Sequence, residues 1–346
     1  NILTERLNLE WPIFQAPMAG MTTPALAAAV SNAGGLGGLG MWGSAAPDAE
    51  RRIAGFRQQS ARAMNANYPL WSDPGDLAGA APEMRQKLQA MFDEAELGRM
   101  PEPVAQGFGI DDAHLEMLRR TKPEVISFHF GAPDADTLSA VKEIGCFTIS
   151  SATTVAEARG LEALGIDAII AQGAEAGGHR GTFTEVDISL QAGLFALLPQ
   201  VVDAVNVPVI AAGGIADGRT AAAAFILGAS AVQVGTAFLL TEEANVPAEH
   251  RAALQRADDA STMVTSAISG KPARAIRNRM VDELSTLQPI PFPGQQSVTG
   301  VLKSVGDPQL SGMYAGQSAA LARPMRAEEL IRMLAKDTSD QLKKFN

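Results

Sequence analysis

The sequence predicts an α/β protein, a (β/α)8 TIM barrel with an inserted smaller, mainly helical domain. Short apolar runs alternate with Ala- and Leu-rich helical stretches at about the length of a βα unit. There are eight such apolar runs, which is the number of strands that closes this kind of barrel. The chain has 346 residues, 46% of them hydrophobic, so it is long enough to bury the core of such a barrel.

The predicted strands are separated by Gly- or Pro-containing breaks. They cover residues 13–16, 36–39, 63–66, 125–128, 147–149, 168–171, 207–211 and 231–234. Helices are predicted between them over residues 24–32, 48–59, 135–144, 155–164 and 219–227. Thr23, Thr154 and Asp217 are suitable N-caps, and four of the helices are followed by glycine, which ends a helix without Cβ strain. Helix and strand alternation with short returns predicts a parallel sheet.

Two stretches depart from this alternation. Residues 68–98 form a long insertion with a helix of its own around residues 82–97. Residues 237–306 combine polar helical segments with a basic run at 271–279 and a proline-rich run at 289–293. We therefore predict a barrel over residues 1–236, a small substrate or lid domain over 237–306 and a C-terminal helical segment over 307–346 that packs back on the barrel.

Composition argues against several classes of protein. The net charge of −10 disfavours binding to a phosphate backbone, so nucleic acid is not an expected partner. Cys146 is the only cysteine and lies in an apolar run, which predicts a buried strand thiol. No apolar segment of membrane-spanning length occurs, and the first residues do not resemble a signal peptide. We expect a soluble cytoplasmic protein without a membrane partner; the sequence does not indicate its oligomeric state.

Residues 35–40 match the G-x-G-x-x-G spacing of dinucleotide-binding folds. That fingerprint should follow a strand and begin a helix, whereas these glycines follow a helix and overlap a predicted strand. We therefore interpret them as a place where a helix and a strand pack closely.

Unusual residues collect at the carboxyl ends of the predicted strands, where barrel enzymes place their active sites. Strand one ends in Gln-Ala-Pro-Met at 15–18, and strand three ends near Asn67. Strand six continues into the glycine-rich loop 172–181. Strand seven ends at Gly213 and Gly214, and strand eight ends in Gln233-Val234-Gly235-Thr236. Because unhindered backbone N–H groups bind anions, the last two turns predict a phosphorylated ligand, either FMN or a sugar phosphate.

The four histidines have different settings. His114 and His250 lie in polar helical sequence, which predicts solvated side chains. His129 ends strand four, where pocket lining and structural hydrogen bonding are both expected. His179 lies in a Gly-Gly-His-Arg-Gly loop where no core packing requires an imidazole, so we predict a catalytic role.

Other kinds of site find little support in the sequence. No Cys, His and carboxylate set has metal-ligand spacing, so no metal site is predicted, and no G-x-S-x-G elbow indicates a serine hydrolase. The basic run 271–279 lacks interleaved aromatic residues and is expected to form interdomain salt bridges or helix caps. Asp217 is expected to be an N-cap.

Several of these segments together carry a family resemblance. They are the Gln-Ala-Pro-Met run at 15–18, residues 25–37, Ser-Phe-His-Phe-Gly at 127–131, the loop from Ala171 to Gly181, residues 233–238 and Tyr-Ala-Gly-Gln at 314–317. In them the chain resembles nitronate monooxygenases, formerly called 2-nitropropane dioxygenases, and in particular their class I bacterial branch. The resemblance spans nearly the whole chain, and the loop 172–181 is its most specific part.

The resemblance implies an FMN-dependent oxidoreductase. FMN would contact Asn67, Gln172, Gly177, Gly214 and residues 233–236, with Ala16, Pro17 and Met18 along the isoalloxazine; Gly213 belongs to the same phosphate-type turn. His179 matches the family's active-site histidine, and His129 and Tyr314 are candidates for the substrate pocket. The implied reaction is oxidation of alkyl nitronates, propionate 3-nitronate above all, by O2 through a flavin semiquinone to a carbonyl compound and nitrite.

Two alternatives remain open from the sequence. One is an NAD(P)H-dependent FMN reductase that acts on quinones or enoyl thioesters, which would require residues 237–306 to admit a nicotinamide. The other is a flavin-free barrel that isomerises or binds a phosphorylated ligand.

Overall fold

The computed structural model describes residues 1–184 and 187–344. Its strands, in chain order, are Ile13–Gln15 (β1), Gly37–Gly40 (β2), Met64–Pro69 (β3), Val125–His129 (β4), Phe147–Ala152 (β5), Ala168–Gln172 (β6), Gly178–His179 (β7), Val209–Ala212 (β8), Ala231–Val234 (β9), Thr262–Thr265 (β10) and Ala273–Ile276 (β11). Eight of them form one parallel sheet in the order β1-β9-β8-β6-β5-β4-β3-β2. Each of the eight predicted strands corresponds to one of these eight.

The sheet closes between β1 and β2. Gln15 N donates to Leu36 O at 2.9 Å, and Leu36 N donates to Ile13 O at 3.0 Å. Because β1 is hydrogen-bonded to the chain at the start of β2, the sheet closes into a barrel without a free edge. The predicted (β/α)8 barrel is thereby confirmed.

The helices are Ile2–Leu7 (α1), Pro24–Asn32 (α2), Ala46–Arg57 (α3), Pro82–Glu94 (α4), Asp112–Thr121 (α5), Ala135–Glu143 (α6), Val155–Ala163 (α7), Leu194–Ala204 (α8), Gly218–Ile226 (α9), Ala248–Arg256 (α10), Arg279–Leu284 (α11), Gly294–Lys303 (α12) and Ala327–Lys343 (α13). The predicted N-caps hold: Thr23, Thr154 and Asp217 each accept a backbone N–H of the first helical turn. The last helix, α13, packs between α9 and α2 on the outside of the barrel.

The amino end of the barrel is filled by apolar side chains. Leu3 and Leu7 of α1 join a buried cluster with inward-facing strand residues such as Phe14, Ile149 and Ile210. This cluster includes the first residues of β4, β6 and β9, so α1 closes the end of the barrel where the strands begin. The opposite end of the barrel, at the carboxyl ends of the strands, is where barrel enzymes place their active sites.

A second hydrophobic cluster lies outside the barrel and joins two distant parts of the chain. Met84, Leu88 and Phe92 of the insertion helix α4 pack with side chains of residues 267–310, among them Val298 and Leu302 of α12. We call this unit the small lobe; it comprises residues 77–105 and 262–310. The division of the chain at residues 236 and 306 stays a prediction.

The small lobe also contains strands that the sequence pattern did not predict. β10 and β11 pair antiparallel, and β11 pairs with the two-residue strand β7, with Ala273 opposite His179. The histidine-bearing loop is therefore held by a strand of the small lobe. The two residues of β7 are too few for an alternation pattern to reveal them.

The basic run 271–279 divides between these elements. Arg274 lies in β11 and donates to Ala174 O at 3.0 Å. Arg279 pairs with Glu283 at 2.7 Å and with Glu94 of α4 at 2.5 Å, and Asn278 caps α11. The expected salt bridges and helix cap are present, but both salt bridges lie within the small lobe and do not join two domains.

Candidate active site

A cavity of about 500 Å³ opens at the carboxyl ends of the barrel strands. All the site residues predicted from the sequence line it except Val234. They are Ala16, Pro17, Met18, Asn67, His129, Gln172, Gly177, His179, Gly213, Gly214, Gln233, Gly235, Thr236 and Tyr314. The barrel therefore brings residues that are up to 298 positions apart in sequence, from Ala16 to Tyr314, to one cavity.

Val234 lies in the wall behind this cavity. Its side chain is fully buried in the main core, and its carbonyl accepts from Ala16 N at 2.8 Å. Strand side chains alternate in direction, so Val234 turns away from the side on which Gln233 lines the cavity. The structure thus gives Val234 no side-chain contact with a ligand in this cavity.

The loop after β6 is held in place by two side chains of its own. The Gln172 amide donates to His179 O at 3.0 Å and accepts from Gly181 N at 2.7 Å. Arg180, 2% exposed, donates to Gly173 O at 2.7 Å and to Gln172 O at 2.9 Å. These bonds satisfy loop carbonyls inside the protein, which gives the buried guanidinium a structural role.

His179 stands in an aromatic wall of the cavity. The Trp42 ring stacks on the imidazole with centroids 5.0 Å apart and an interplanar angle of 25°. The ring centroid of Tyr314 lies 5.3 Å from that of the imidazole, and Phe130 and Phe292 stand edge-on to it with centroid distances of 5.8 and 5.9 Å. Rings on several sides limit how the imidazole can turn, and the side chain stays partly exposed to the cavity.

The imidazole of His179 is neutral in this setting. Burial lowers its pKa to about 3, and the charges of His129 and Lys271 act in the same direction. Burial likewise lowers the pKa of His129 to about 4. A neutral imidazole serves as a hydrogen-bond donor or as a proton acceptor.

His129 supports the backbone at His179. Its Nε2 lies 3.3 Å from His179 O, which can only accept, so Nε2 carries the proton. Its Nδ1 lies 3.2 Å from Ser151 Oγ. His129 therefore has both expected features, since it lines the cavity and makes structural hydrogen bonds.

The turns after β8 and β9 offer unpaired backbone donors. Gly213 and Gly214 have φ angles of 113° and 69°, the left-handed region that favours glycine. Within the part of the chain that the structure describes, the N–H groups of Gly213, Gly214 and Gly235 donate to no protein atom. A Cβ on Gly235 would make ordinary van der Waals contact with Ala16 Cβ at 3.5 Å and would not collide with the protein. Such a cradle suits a phosphate group.

A segment before α13 supports these two turns. Ser318 Oγ donates to Gly214 O at 2.7 Å, and Gly316 N donates to Thr236 Oγ1 at 2.9 Å. A Cβ on Gly177 would collide with Gly316 N at 2.5 Å, which explains the glycine there.

Comparison with known proteins identifies the family of this fold and site. The family model described as nitronate monooxygenase matches residues 1–337. The chain belongs to the nitronate monooxygenase family. The predicted family and enzyme class, an oxidoreductase, are confirmed.

Individual relatives agree with the family model. A nitronate monooxygenase from Pseudomonas aeruginosa is 41% identical over 347 residues, covering 96% of this chain and 98% of that protein. One from Paraburkholderia phytofirmans is 38% identical over 353 residues, covering 98% and 96%. The solved structure of nitroalkane oxidase from Streptomyces ansochromogenes is 37% identical, covers 100% of both chains and superimposes with a TM-score of 0.92.

The predictions that His114 and His250 have solvated side chains were wrong. His114 is buried: it contacts Asp111 Oδ1 at 2.6 Å and Ser44 O at 2.9 Å. His250 is also buried, with Nε2 3.0 Å from Tyr314 O. In both cases tertiary contacts cover a helix face that looks polar in sequence.

The small lobe and α10 add polar cavity residues that sequence reasoning missed. His250, Gln296 and Lys303 line the cavity, and both His250 Nδ1 and Gln296 Oε1 are enclosed without a partner among the described residues. Gln296 and Lys303 are seven positions apart on α12 and so share a helix face, which is the one sequence signal that could have paired them. Arg52 also lines the cavity and donates to Thr22 O at 3.2 Å.

In the part of the chain that the structure describes, residues 1–184 and 187–344, no three His, Cys, Asp or Glu side chains are placed to hold a metal ion together. No helix in it combines the length and apolar character needed to cross a bilayer.

Proposed function

We propose that this chain binds FMN and oxidises alkyl nitronates with O2 to a carbonyl compound and nitrite. Propionate 3-nitronate is the substrate we expect. The observation that supports the proposal is the pairing, in one cavity, of an unpaired phosphate-type cradle with a histidine enclosed by aromatic rings. Membership of the nitronate monooxygenase family favours this chemistry over the alternatives.

The residues present fit a flavin mononucleotide. Gly213, Gly214 and Gly235 would hold the phosphate through their free N–H groups, with Thr236 beside them. The small residues at the end of β1 would lie along the ring system, since Ala16 and Pro17 let a flat ligand approach the backbone. Bound FMN supplies the electron acceptor for the substrate and the site of reaction with O2.

Polar side chains around the cavity complete this arrangement. The Asn67 amide nitrogen donates to Ser127 Oγ at 3.0 Å, which leaves its oxygen available to a ligand. The Gln172 amide donates one hydrogen bond through its nitrogen and accepts one through its oxygen. One N–H group and one oxygen lone pair therefore remain available to a ligand. Val234 would contribute only backbone to this site.

His179 would act on the substrate as a neutral imidazole. Burial lowers its pKa to about 3, so the ring is neutral at neutral pH before a substrate binds. It can accept the α-proton of a neutral nitroalkane, which converts that compound to the nitronate. The ring wall formed by Trp42 and Tyr314 excludes water from this step.

The visible spectrum of the purified protein, followed by a titration in air, tests this proposal. We expect a bound flavin spectrum and nitrite release that follows the amount of propionate 3-nitronate added. Protein that stays colourless after incubation with FMN would instead support the flavin-free barrel.

Anaerobic mixing separates nitronate oxidation from the reductase alternative. We expect the flavin spectrum to change on addition of nitronate and to remain oxidised with NADPH. Rapid full bleaching by NADPH, with no response to nitronate, would contradict the proposal and favour the quinone or enoyl reductase.

A further inference from the structure

Ser269 of the small lobe contacts the ring of His179. The distance from His179 Nε2 to Ser269 Oγ is 2.8 Å, and Ser269 is fully buried. Ser269 lies between β10 and β11, 90 residues from His179 in sequence, and nothing in the sequence pattern singles it out. The contact forms because β11 pairs with β7 and brings the preceding turn over the imidazole.

Two further contacts determine where the Ser269 hydroxyl proton lies. Lys271 O lies 3.2 Å from Ser269 Oγ and can only accept, and Lys271 N, which can only donate, also lies at 3.2 Å. A hydroxyl has one proton and two lone pairs. These three neighbours are satisfied together only when Ser269 donates to Lys271 O and accepts from both Lys271 N and His179 Nε2. The Tyr314 hydroxyl also lies near Ser269, but no hydrogen bond of normal length and angle joins these two side chains.

This assignment of the Ser269 hydrogen bonds determines the tautomer of His179. Its Nε2 carries the proton and donates to Ser269, so Nδ1 is the nitrogen with a free lone pair. Nδ1 has no hydrogen-bond partner among the described residues, and it is not fully enclosed by the protein. Since the side chain lines the cavity, this accessible nitrogen is the one available to a ligand.

We propose that Ser269 is a positioning residue that holds His179 as the Nε2–H tautomer, so that Nδ1 is the atom that takes a proton from the substrate. The inference rests on the proposed function. In the step, the substrate α-carbon–hydrogen bond breaks and a bond forms between that hydrogen and Nδ1. The electron pair moves into the nitro group, which gives a nitronate and a protonated His179.

The groups around the ring suit this step. His129, Lys271 and Tyr314 are the titratable side chains that face His179. Burial keeps His129 neutral at neutral pH, so the charge of Lys271 is the one that opposes protonation of His179. The Nε2 hydrogen bond to a neutral hydroxyl orients the ring without adding the charge that a carboxylate would bring. The ring can then return its proton readily after the step.

The substitution Ser269→Ala tests the proposal, with Ser269→Thr as the conservative variant. In 15N-labelled wild-type enzyme, two-dimensional NMR should show His179 with Nε2 protonated and Nδ1 unprotonated. The two nitrogens are distinguished by their couplings to the ring protons, and the chain has only four histidines to assign. We expect Ser269→Ala to lose this single-tautomer pattern and Ser269→Thr to keep it.

Kinetics with two substrates provides the second readout. For neutral nitroethane we expect Ser269→Ala to lower kcat/KM by at least about tenfold, as partial loss of general-base catalysis predicts, and Ser269→Thr to restore part of it. For the preformed nitronate, which needs no proton removal, the loss should be clearly smaller. Ser285→Ala removes a hydroxyl that contacts Thr265 in the small lobe and is the matched control. It should leave kcat/KM unchanged for both nitroethane and the nitronate.

The outcomes distinguish this inference from the proposed function. A wild-type His179 that carries its proton on Nδ1, or a tautomer unchanged in Ser269→Ala, overturns the role of Ser269 even if nitrite is formed. Equal losses for nitroethane and its nitronate would also overturn it, because they indicate a general structural defect. Absence of nitrite release by wild-type enzyme contradicts the proposed function, whereas the NMR result remains valid.

Discussion

At the scale of the residue, His179 combines features that rarely occur together. Its side chain lines a cavity, yet its backbone belongs to a β-ladder and its carbonyl accepts from Gln172 and approaches His129. Each contact positions the imidazole without occupying Nδ1. The aromatic wall prevents it from rotating away. A neutral ring held in this way presents Nδ1 to the cavity in a fixed orientation.

The substitution His179→Asn should separate catalysis from cofactor binding. We expect the flavin to be retained, because the phosphate-type cradle lies in other loops, and nitroalkane turnover to fall by about 100-fold or more through loss of the general base. Flavin content from the visible spectrum and nitrite release measure the two effects. His114→Asn is the control: it removes a buried histidine outside the cavity, so turnover per folded molecule should be unchanged.

At the scale of the element, the glycine run 35–40 shows that the role of a sequence motif depends on the helices and strands around it. A Cβ on Gly37 would collide with the backbone of Ala27, including its carbonyl carbon at 2.6 Å. The run therefore brings α2 against β2, and the predicted interpretation as close packing is confirmed. A dinucleotide fingerprint would need the opposite order, a strand followed by a helix.

Two Gly→Ala substitutions should have opposite effects on stability. Gly37→Ala forces α2 away from β2, so we expect the free energy of unfolding to fall by about 1–3 kcal/mol or more. Gly160→Ala lies in α7, where a Cβ would meet no atom within 4 Å, and should raise it by about 0.5–1 kcal/mol. Urea unfolding of both variants measures these changes. A Gly37→Ala protein as stable as wild type would contradict the packing role.

At the scale of the whole molecule, burial of histidine links stability to pH. Burial lowers the pKa of His129 and His250 to about 4 and that of His179 to about 3, from an ordinary value of 6.5. Below pH 6.5 the unfolded chain binds protons at these side chains and the folded chain does not. The stability contributed by the neutral histidines is therefore present above pH 6.5 and is lost as the pH falls towards 4.

Unfolding by urea across this range tests the linkage. We expect the free energy of unfolding to fall by up to about 1.4 kcal/mol per pH unit for each such histidine. His250→Gln keeps a donor for Tyr314 O but cannot be protonated, so it should reduce the slope by one histidine's share. A slope unchanged in this variant would show that His250 is not neutral in the folded protein.

The sequence by itself determined the features that rest on local signals. Apolar runs, N-caps such as Thr23 and Asp217, and glycine at helix ends depend on neighbours a few residues away, so the barrel strands could be predicted. Because a parallel barrel gathers its strand ends on one face, Gln172 and Gly235 could be assigned to one site from the sequence alone. The family resemblance of the loop 172–181 then narrowed the expected chemistry.

Tertiary structure alone decided which distant groups meet. The pairing of β11 with β7, the contact of Ser269 with His179 and the burial of His250 all join residues far apart in sequence. Such contacts depend on how whole elements pack, and no local periodicity records them. The loop sequence around His179 was enough to predict a catalytic role. The tautomer of His179 depends on the contact with Ser269, and its lowered pKa depends on burial; only the fold provides these two features.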